Sequence, residues 1–441
     1  MLEREDVIAY NETQRETVPA WLQERLEWFQ DLKFGLILHW GPYALWDCCE
    51  SWPLSPGDPW ARNDEMDCWT SRGKDLALFQ QDYWALNKQF NPVNYDPHKW
   101  ASLAKKAGIK YVSLTSKHHD GFCMWDTETT EYRITGPESP FRDDPRADVY
   151  KGLCDAFQAE GLAISVYFSK ADWHCPDYWS PEFPIDSRQA NTSHDPERWK
   201  RFVQYTHDQI RELMSNYGKI DILWLDAGWV KTERNEDIDM SGMVQMARKL
   251  QPDLLVANRT VGDEFEDFIT PEHEIPTAPL SRPWESCLCM AQNWKYHPRD
   301  TYRSTAEILE MLIDIVSKGG NFLIGIGPTP DGEFTPQAIE RLEEIAVWME
   351  TNSEAIHGTR AVAPYRDGHV KFTSKGEYVY AFLMEGSEAT LAALRPRSSS
   401  DVEILGCPVP PKVLEQESYT VVTLPLEAKG LAWPPVLKYR L

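Results

Sequence analysis

Ile220-Asp-Ile-Leu-Trp-Leu-Asp226-Ala-Gly228 is a short apolar run that closes on an aromatic, a carboxylate and a glycine. Near-continuous apolarity over strand length marks a strand covered on both faces, as the parallel strands of α/β proteins are. Gly228 lets the chain turn just beyond it, so Asp226 sits where α/β barrels keep their chemistry. On this stretch alone, Asp226 reads equally well as a cap on the following turn.

Working outward, strand-like runs recur at Phe34 to His39, Tyr111 to Ser116, Ala163 to Ser169, Leu254 to Arg259, Pro283 to Met290 and Asn321 to Ile326. Helices are expected between them. Asp96-Pro97, Asp195-Pro196 and Thr335-Pro336 each put a capping side chain before a proline at the first helical position, and Ser304-x-x-Glu307 is a capping box. Val18 to Leu32, Ala147 to Glu160 and Met240 to Leu250 carry apolar residues at helical spacing. Two long excursions interrupt the pattern. The first, Asp47 to Tyr83 with Pro53, Pro56 and Pro59, is expected to be irregular; the second holds Trp173, Trp179 and Pro184.

At least six strand-helix alternations predict an α/β fold with a (β/α)8-like barrel over residues 1–357. After His357 the helices stop. Segments such as Val379 to Leu383 and Tyr419 to Leu424 predict a C-terminal all-β sandwich domain over residues 358–441.

Composition narrows the function. The 45 Lys+Arg against 69 Asp+Glu leave a net charge of -24, which repels phosphate backbones and anionic lipid, so neither nucleic acid nor membrane is an expected partner. No stretch approaches the ~18 uninterrupted apolar residues of a membrane helix. The 19 Trp and 18 Tyr can supply stacking faces for the C–H faces of sugars as well as core. Nine cysteines are an odd number without framework spacing, which points to reduced thiols, and neither Cys48-Cys49 nor Cys287-x-Cys289 has zinc-type spacing. Met1 to Glu12 has no apolar leader, so a cytoplasmic location is expected unless a leader was removed. Association into a homo-oligomer is left open.

His39, His118, His119, Asp120, Asp226 and Arg259 fall at predicted strand ends, with Glu272 and Glu285 in or after the following loop. Interleaved with Trp40, Trp52, Trp224 and Trp284, they form a pocket that can bond several hydroxyls and stack on an apolar face. Two of its carboxyls suit a glycosidic bond, one as nucleophile and one as general acid and base. His118-His119-Asp120 could instead hold a metal, but barrel metallohydrolases gather ligands from several strands and an adjacent histidine pair does not easily chelate one ion. Gly319-Gly320 through Gly325-Ile-Gly327 does not fit a dinucleotide fingerprint, and no Gly-x-Ser-x-Gly elbow is present. No metal and no organic cofactor is expected.

Taken in order, Lys33-Phe-Gly-Leu-Ile-Leu-His39-Trp-Gly, Lys117-His-His-Asp-Gly-Phe122, Trp224-Leu-Asp226, Arg259, Asp267-Phe-Ile-Thr-Pro-Glu272, Trp284-Glu285 and Ser317-Lys-Gly-Gly-Asn-Phe-Leu-Ile-Gly-Ile-Gly-Pro328 resemble the family 29 glycoside hydrolases, the retaining α-L-fucosidases. The resemblance spans about residues 20 to 360. It implies a barrel-like catalytic domain with a C-terminal sandwich, and a fucosylated oligosaccharide or glycoconjugate as substrate. Asp226 becomes the expected nucleophile. His39, His118, His119, Tyr167, Trp224 and Arg259 become the sugar-binding shell, joined by Glu50, Trp52 and Trp284. Either Glu272 or Glu285 matches the acid/base, whose place varies among members, and Glu272 is preferred. The first loop departs from the family, with Cys48-Cys49-Glu50-Ser51-Trp52 where many members have Gly-Glu-Trp. An α-L-galactosidase-type activity and a catalytically silent fucose-binding protein therefore stay open beside the fucosidase.

Overall fold

Seven of the apolar runs pair as parallel strands: β1 (Phe34–Leu38), β2 (Tyr111–Lys117), β3 (Ala163–Ser169), β4 (Ile222–Asp226), β5 (Leu255–Asn258), β6 (Glu285–Cys289) and β7 (Asn321–Ile326). The computed structural model describes residues 18–179, 188–190, 192 and 195–441; Pro184 and the stretch Met1 to Glu12 lie outside them. The sheet order β5-β4-β3-β2-β1-β7-β6 follows the chain around a curled half-barrel that is open between β5 and β6.

The sheet curls around its own core. Ile37, Tyr111, Tyr167, Ile222, Trp224, Leu255, Ala257, Cys287 and Leu323 meet in one apolar cluster inside it. The alternate residues, among them Leu36, Leu38, Val112, Leu114, Leu223, Leu225, Val256 and Ile324, pack into a second cluster shared with the helices. Burial on both faces is why the runs lack polar alternation. The helix α1 (Ala20–Leu32) turns Leu22, Leu26 and Phe29 into the inner cluster and closes the N-terminal end of the barrel, with Phe29 stacked on Phe268 at 4.2 Å.

Where the expected barrel has an eighth strand, residues 266–272 run extended between β5 and β6. They are held by single bridges, Ala257 to Glu266, Ile269 to Trp284 and Glu272 to Cys287. Pro271 has no N–H to give to a ladder, which explains why this piece does not register as a strand.

The remaining helices are α2 (Asp67–Thr70), α3 (Leu76–Trp84), α4 (Pro97–Lys106), α5 (Val149–Ala159), α6 (Pro196–Asn216), α7 (Met240–Leu250), α8 (Thr305–Ser317) and α9 (Pro336–Asn352). The caps act as expected: Asp96 accepts from the N–H groups of His98 and Lys99, Asp195 from Arg198, and Ser304 with Glu307 closes a capping box. The excursion from Asp47 to Tyr83 is more ordered than expected. Pro53 and Pro59 lie in 3₁₀ turns of its first half and Pro56 in the turn between them, after which α2 and α3 form, the latter capped by Asp75 and burying Phe79 and Tyr83 one turn apart.

Beyond His357, β8 (Arg366–Asp367), β9 (Val370–Lys375), β10 (Tyr378–Leu383), β11 (Glu388–Leu391), β12 (Glu403–Ile404), β13 (Lys412–Glu415), β14 (Thr420–Thr423) and β15 (Val436–Arg440) form two antiparallel sheets, β12-β15-β10-β9-β8 and β11-β14-β13. Phe372, Val379, Ala381 and Leu437 from one sheet and Ala389, Leu391 and Val422 from the other share one core, as in a sandwich. The larger sheet leans on the barrel through Phe382 and through Trp348, whose indole N–H donates to the Pro434 carbonyl at 2.9 Å.

Candidate active site

Asp226 ends β4 on the inward face. Its Oδ1 accepts from Arg259 Nη1 at 2.8 Å, and its Oδ2 accepts from the Tyr167 hydroxyl at 2.6 Å. Tyr167 comes from β3, and Arg259 follows β5. Burial alone would raise the Asp226 carboxyl, but Arg259, His119, the Tyr167 bond and His118 overcome it and hold the group well below the usual carboxylate range. Gly228 is needed for packing as well as for turning: a Cβ there would lie 1.8 Å from Thr260 Oγ1, so only glycine lets the chain after β4 pass the chain after β5.

The second nitrogen of the same guanidinium, Nη2, donates to Glu272 Oε2 at 2.7 Å. One fork therefore spans the two carboxylates, a charge-assisted geometry that only arginine supplies. Glu272 rides on the extended segment that fills the barrel gap, and its side chain is 31% exposed against 19% for Asp226.

Three imidazoles line the pocket, all buried and all pushed down chiefly by burial, His118 to about 4, so each is neutral near pH 7. Neutral imidazole is both donor and acceptor. His118 Nδ1 meets Ser51 Oγ at 2.6 Å, and His119 Nδ1 meets Ser169 Oγ at 2.7 Å. Ser169 donates its own hydroxyl proton to the Ala171 carbonyl, so it receives the Nδ1 proton of His119. That leaves the lone pair of His119 on Nε2, which is buried, has no hydrogen-bond partner among the described residues, and lies 3.8 Å from Asp226 Oδ2. His39 Nδ1 is likewise buried without a partner. These atoms are placed to meet hydroxyl groups of a guest.

Trp224 forms the floor, with Tyr167 stacked on it at 5.3 Å and the Arg259 guanidinium 4.1 Å from its ring. Trp52 stands edge-on to His119 at 4.9 Å within a wall that includes Trp173 and Trp229. Glu50 takes an unusual backbone, φ +36°, and its carboxyl accepts from the Lys295 N–H at 3.2 Å and the Cys49 thiol at 3.1 Å. It ties the first loop to the segment after β6.

Four expected site residues are not brought to the pocket, the first being Trp40, whose indole packs among Phe90, Tyr95 and Trp100 in the outer core. Glu285 opens β6 instead of ending a strand, so its carboxyl lies at the opposite, N-terminal end of the barrel interior, bonded by the Tyr111 hydroxyl and by Trp224 Nε1. Trp284 precedes it and packs where Gly320 has no side chain; a Cβ there would be 2.5 Å from the indole. Asp120 turns away from the pocket, accepting from the Tyr83 hydroxyl at 2.9 Å and the Phe122 N–H at 3.2 Å.

His118, His119 and Asp226 also offer donor atoms within 4.8 Å of one another. The ligand set that the sequence suggested thus changes, with Asp226 in place of Asp120. Arg259 already neutralises that carboxylate, and a divalent cation placed there would face the guanidinium. The donor set suits hydroxyls better than a metal.

Sequence reasoning missed Ser51, Ser169 and above all Trp294, which stacks on His39 at 4.9 Å and meets His273 at 4.8 Å. A signal was present in Gly325 and Gly327. A Cβ on Gly325 would lie 2.6 Å from the Trp294 ring, and one on Gly327 would lie 2.0 Å from the Tyr296 nitrogen. The glycines mark where the chain after β6 presses onto β7.

The alpha-L-fucosidase family model matches residues 4–354. Among curated relatives, the alpha-L-fucosidase of Dictyostelium discoideum is 25% identical over 91% of this chain and 86% of its own length. The tissue alpha-L-fucosidase of Homo sapiens is 27% identical over 82% and 76% respectively. Among solved structures, alpha-L-fucosidase isoenzyme 1 from Paenibacillus thiaminolyticus superposes with a TM-score of 0.78 at 29% identity, covering 96% of this chain and 99% of that one. The Thermotoga maritima alpha-fucosidase in complex with fucose gives 0.75 at 25% identity, covering 98% and 100%.

Proposed function

Because the chain belongs to the alpha-L-fucosidase family of glycoside hydrolases, we propose that it removes terminal α-L-fucose by double displacement, with Asp226 as nucleophile and Glu272 as general acid and base. The observation that carries the assignment is the Arg259 fork. It keeps Asp226 ionised for attack on the anomeric carbon and holds Glu272 on the neighbouring nitrogen of the same guanidinium, which supports a pair acting on one bond. In the first step Asp226 forms a glycosyl ester while Glu272 protonates the departing oxygen; in the second, Glu272 takes a proton from water, which attacks the ester. The acid role requires the Arg259–Glu272 bond to open when the glycosidic oxygen enters, and the exposed flank of Glu272 leaves room for it.

The His39 and His119 nitrogens without partners, with His118, read the sugar hydroxyls, and Trp224, Tyr167 and Trp294 supply the apolar contact. Glu285 drops out of the acid/base assignment because of the barrel end it occupies. We place the catalytic unit in residues 1–357 and give the sandwich no part in the chemistry. A silent fucose-binding role is not favoured, since both carboxyls stand on one guanidinium beside the imidazoles.

The test is Asp226→Gly. Turnover of an aryl α-L-fucoside should fall by roughly 10⁵-fold, and azide should restore product as the glycosyl azide. Retention of activity without azide would overturn the assignment.

A further inference from the structure

The N-terminal end of the barrel interior holds a carboxyl that this chemistry leaves without a task. Glu285 is 1% exposed. The Tyr111 hydroxyl and the Trp224 indole N–H, the latter at 3.0 Å, donate to its two oxygens, and among the described residues no Lys or Arg forms an ion pair with it. The surroundings are shaped to place it. Gly35 gives Tyr111 room to lie across β1, since a Cβ there would be 2.3 Å from the ring, and Phe29 of α1 stands 6.2 Å below. An unpaired buried carboxyl is a costly way to hold a barrel together; burial pushes Glu285 up to about 7 in spite of both bonds. Its upper partner is more telling. Trp224 carries Tyr167 at 5.3 Å and Arg259 at 4.1 Å, and these are the two side chains that hold Asp226.

We propose that Glu285 is a positioning residue for the fucosidase site: through its bond to the Trp224 indole it fixes the floor on which Tyr167 and Arg259 are laid, and it takes no part in proton transfer. The proposal rests on the assignment of Asp226 and Glu272 to the chemistry. A misplacement of about 1 Å at the nucleophile costs roughly 100-fold in rate, so an anchor at one remove can matter to turnover while touching no substrate.

The test compares Glu285→Leu with Glu285→Gln on aryl α-L-fucosides bearing good and poor leaving groups. Leucine removes both acceptors. Glutamine keeps the geometry, with its amide oxygen accepting from Trp224 and its amide nitrogen donating to the Tyr111 oxygen. The expected result is a roughly 100-fold loss in kcat/KM for Glu285→Leu, equal for all leaving groups, and recovery of most of it in Glu285→Gln. Glu285→Leu placed on Trp224→Phe should add little further loss, because both act through one indole.

Full activity in Glu285→Leu overturns the proposal. So does a Glu285→Gln enzyme as damaged as Glu285→Leu, with a loss that grows with leaving-group pKa, which would mean proton transfer. If Glu285→Leu does not fold, Glu285→Met, which keeps the side-chain length without the carboxyl oxygens, takes its place: a leaving-group-independent loss that Glu285→Gln recovers supports the proposal, and full activity overturns it. A wild-type chain inert to every α-L-fucoside would sink the fucosidase assignment instead, and calorimetric fucose affinity would then replace turnover for the same pair, with weakened binding in leucine and restored binding in glutamine expected.

Discussion

The two ends of the barrel bury carboxyls in opposite states. At the C-terminal end Asp226 has a guanidinium, a tyrosine hydroxyl and an imidazole around it and is held well below the carboxylate range. At the other end Glu285 has two neutral donors and no paired cation, and burial lifts it to about 7. Asp226 is also the less buried of the two, its side chain 19% exposed where Glu285 is 1% exposed. The larger difference is the pairing with Arg259, which keeps one carboxyl charged and leaves the other to two neutral donors.

The sharpest way to break this contrast is Arg259→Met. It strips Asp226 of its counter-charge and makes the upper end resemble the lower one. Loss of kcat/KM on the order of 10³-fold is expected, about 4 kcal/mol of transition-state stabilisation. The acid limb of the pH–rate profile should also move to higher pH, because without the guanidinium the Asp226 carboxyl rises. A limb that stays in place would mean that Arg259 does not set the charge of Asp226.

A somewhat smaller effect is expected from the lower carboxyl, and on stability instead of rate. Glu285 is raised in the folded chain from 4.5 to about 7. Its favourable contribution, carried by the protonated form, is therefore complete below about 4.5 and is lost as pH climbs through 7, on the order of 3 kcal/mol in all. Glutamine has no such titration. The melting temperature of Glu285→Gln should rise relative to wild type between pH 4.5 and 7 and run parallel to it outside that window; calorimetry across the range checks it. Parallel curves throughout would show that the lower carboxyl is not raised.

The mildest perturbation is Ser169→Ala at the upper end, which frees the His119 ring to take either tautomer. About a tenfold fall in kcat/KM is expected near pH 7, where the imidazole is neutral and only its orientation is lost. A variant as active as wild type would mean that Ser169 does not orient the ring.

Much of this was legible beforehand because local signals decide it. β3 and β7 have the bounds expected from their apolar runs, and Asp96, Asp195, Ser304 and Thr335 all start helices. Asp226, Arg259 and the histidine pair converge because strand C-terminal ends share one rim. Glu285 and Trp284 misled for the same reason inverted: an extended run shows where strand character lies but not which residue opens it, and they open β6. Asp120 misled because a tight turn, Asp120-Gly121, rotates its side chain toward Tyr83. Ser51 and Trp294 reach the pocket from loops, through contacts that no local periodicity encodes.

The gap between β5 and β6 has a further consequence. Asp226 sits on the fourth strand of a continuous ladder, where any change of length shifts the register of its neighbours. Glu272 sits on a stretch tied to β5 at its start, through Asp267 and Val256, and to β6 at its end, through Ile269, Pro271 and His273, with only the bond that Pro271 cannot give left out. The rim of the pocket is thus joined in two ways: Asp226 by the full sheet, and Glu272 by a single crossing from β5 to β6. A change of length in residues 266–272 would draw Glu272 off the Arg259 guanidinium, so the spacing of the two carboxylates depends on this crossing as much as on the sheet.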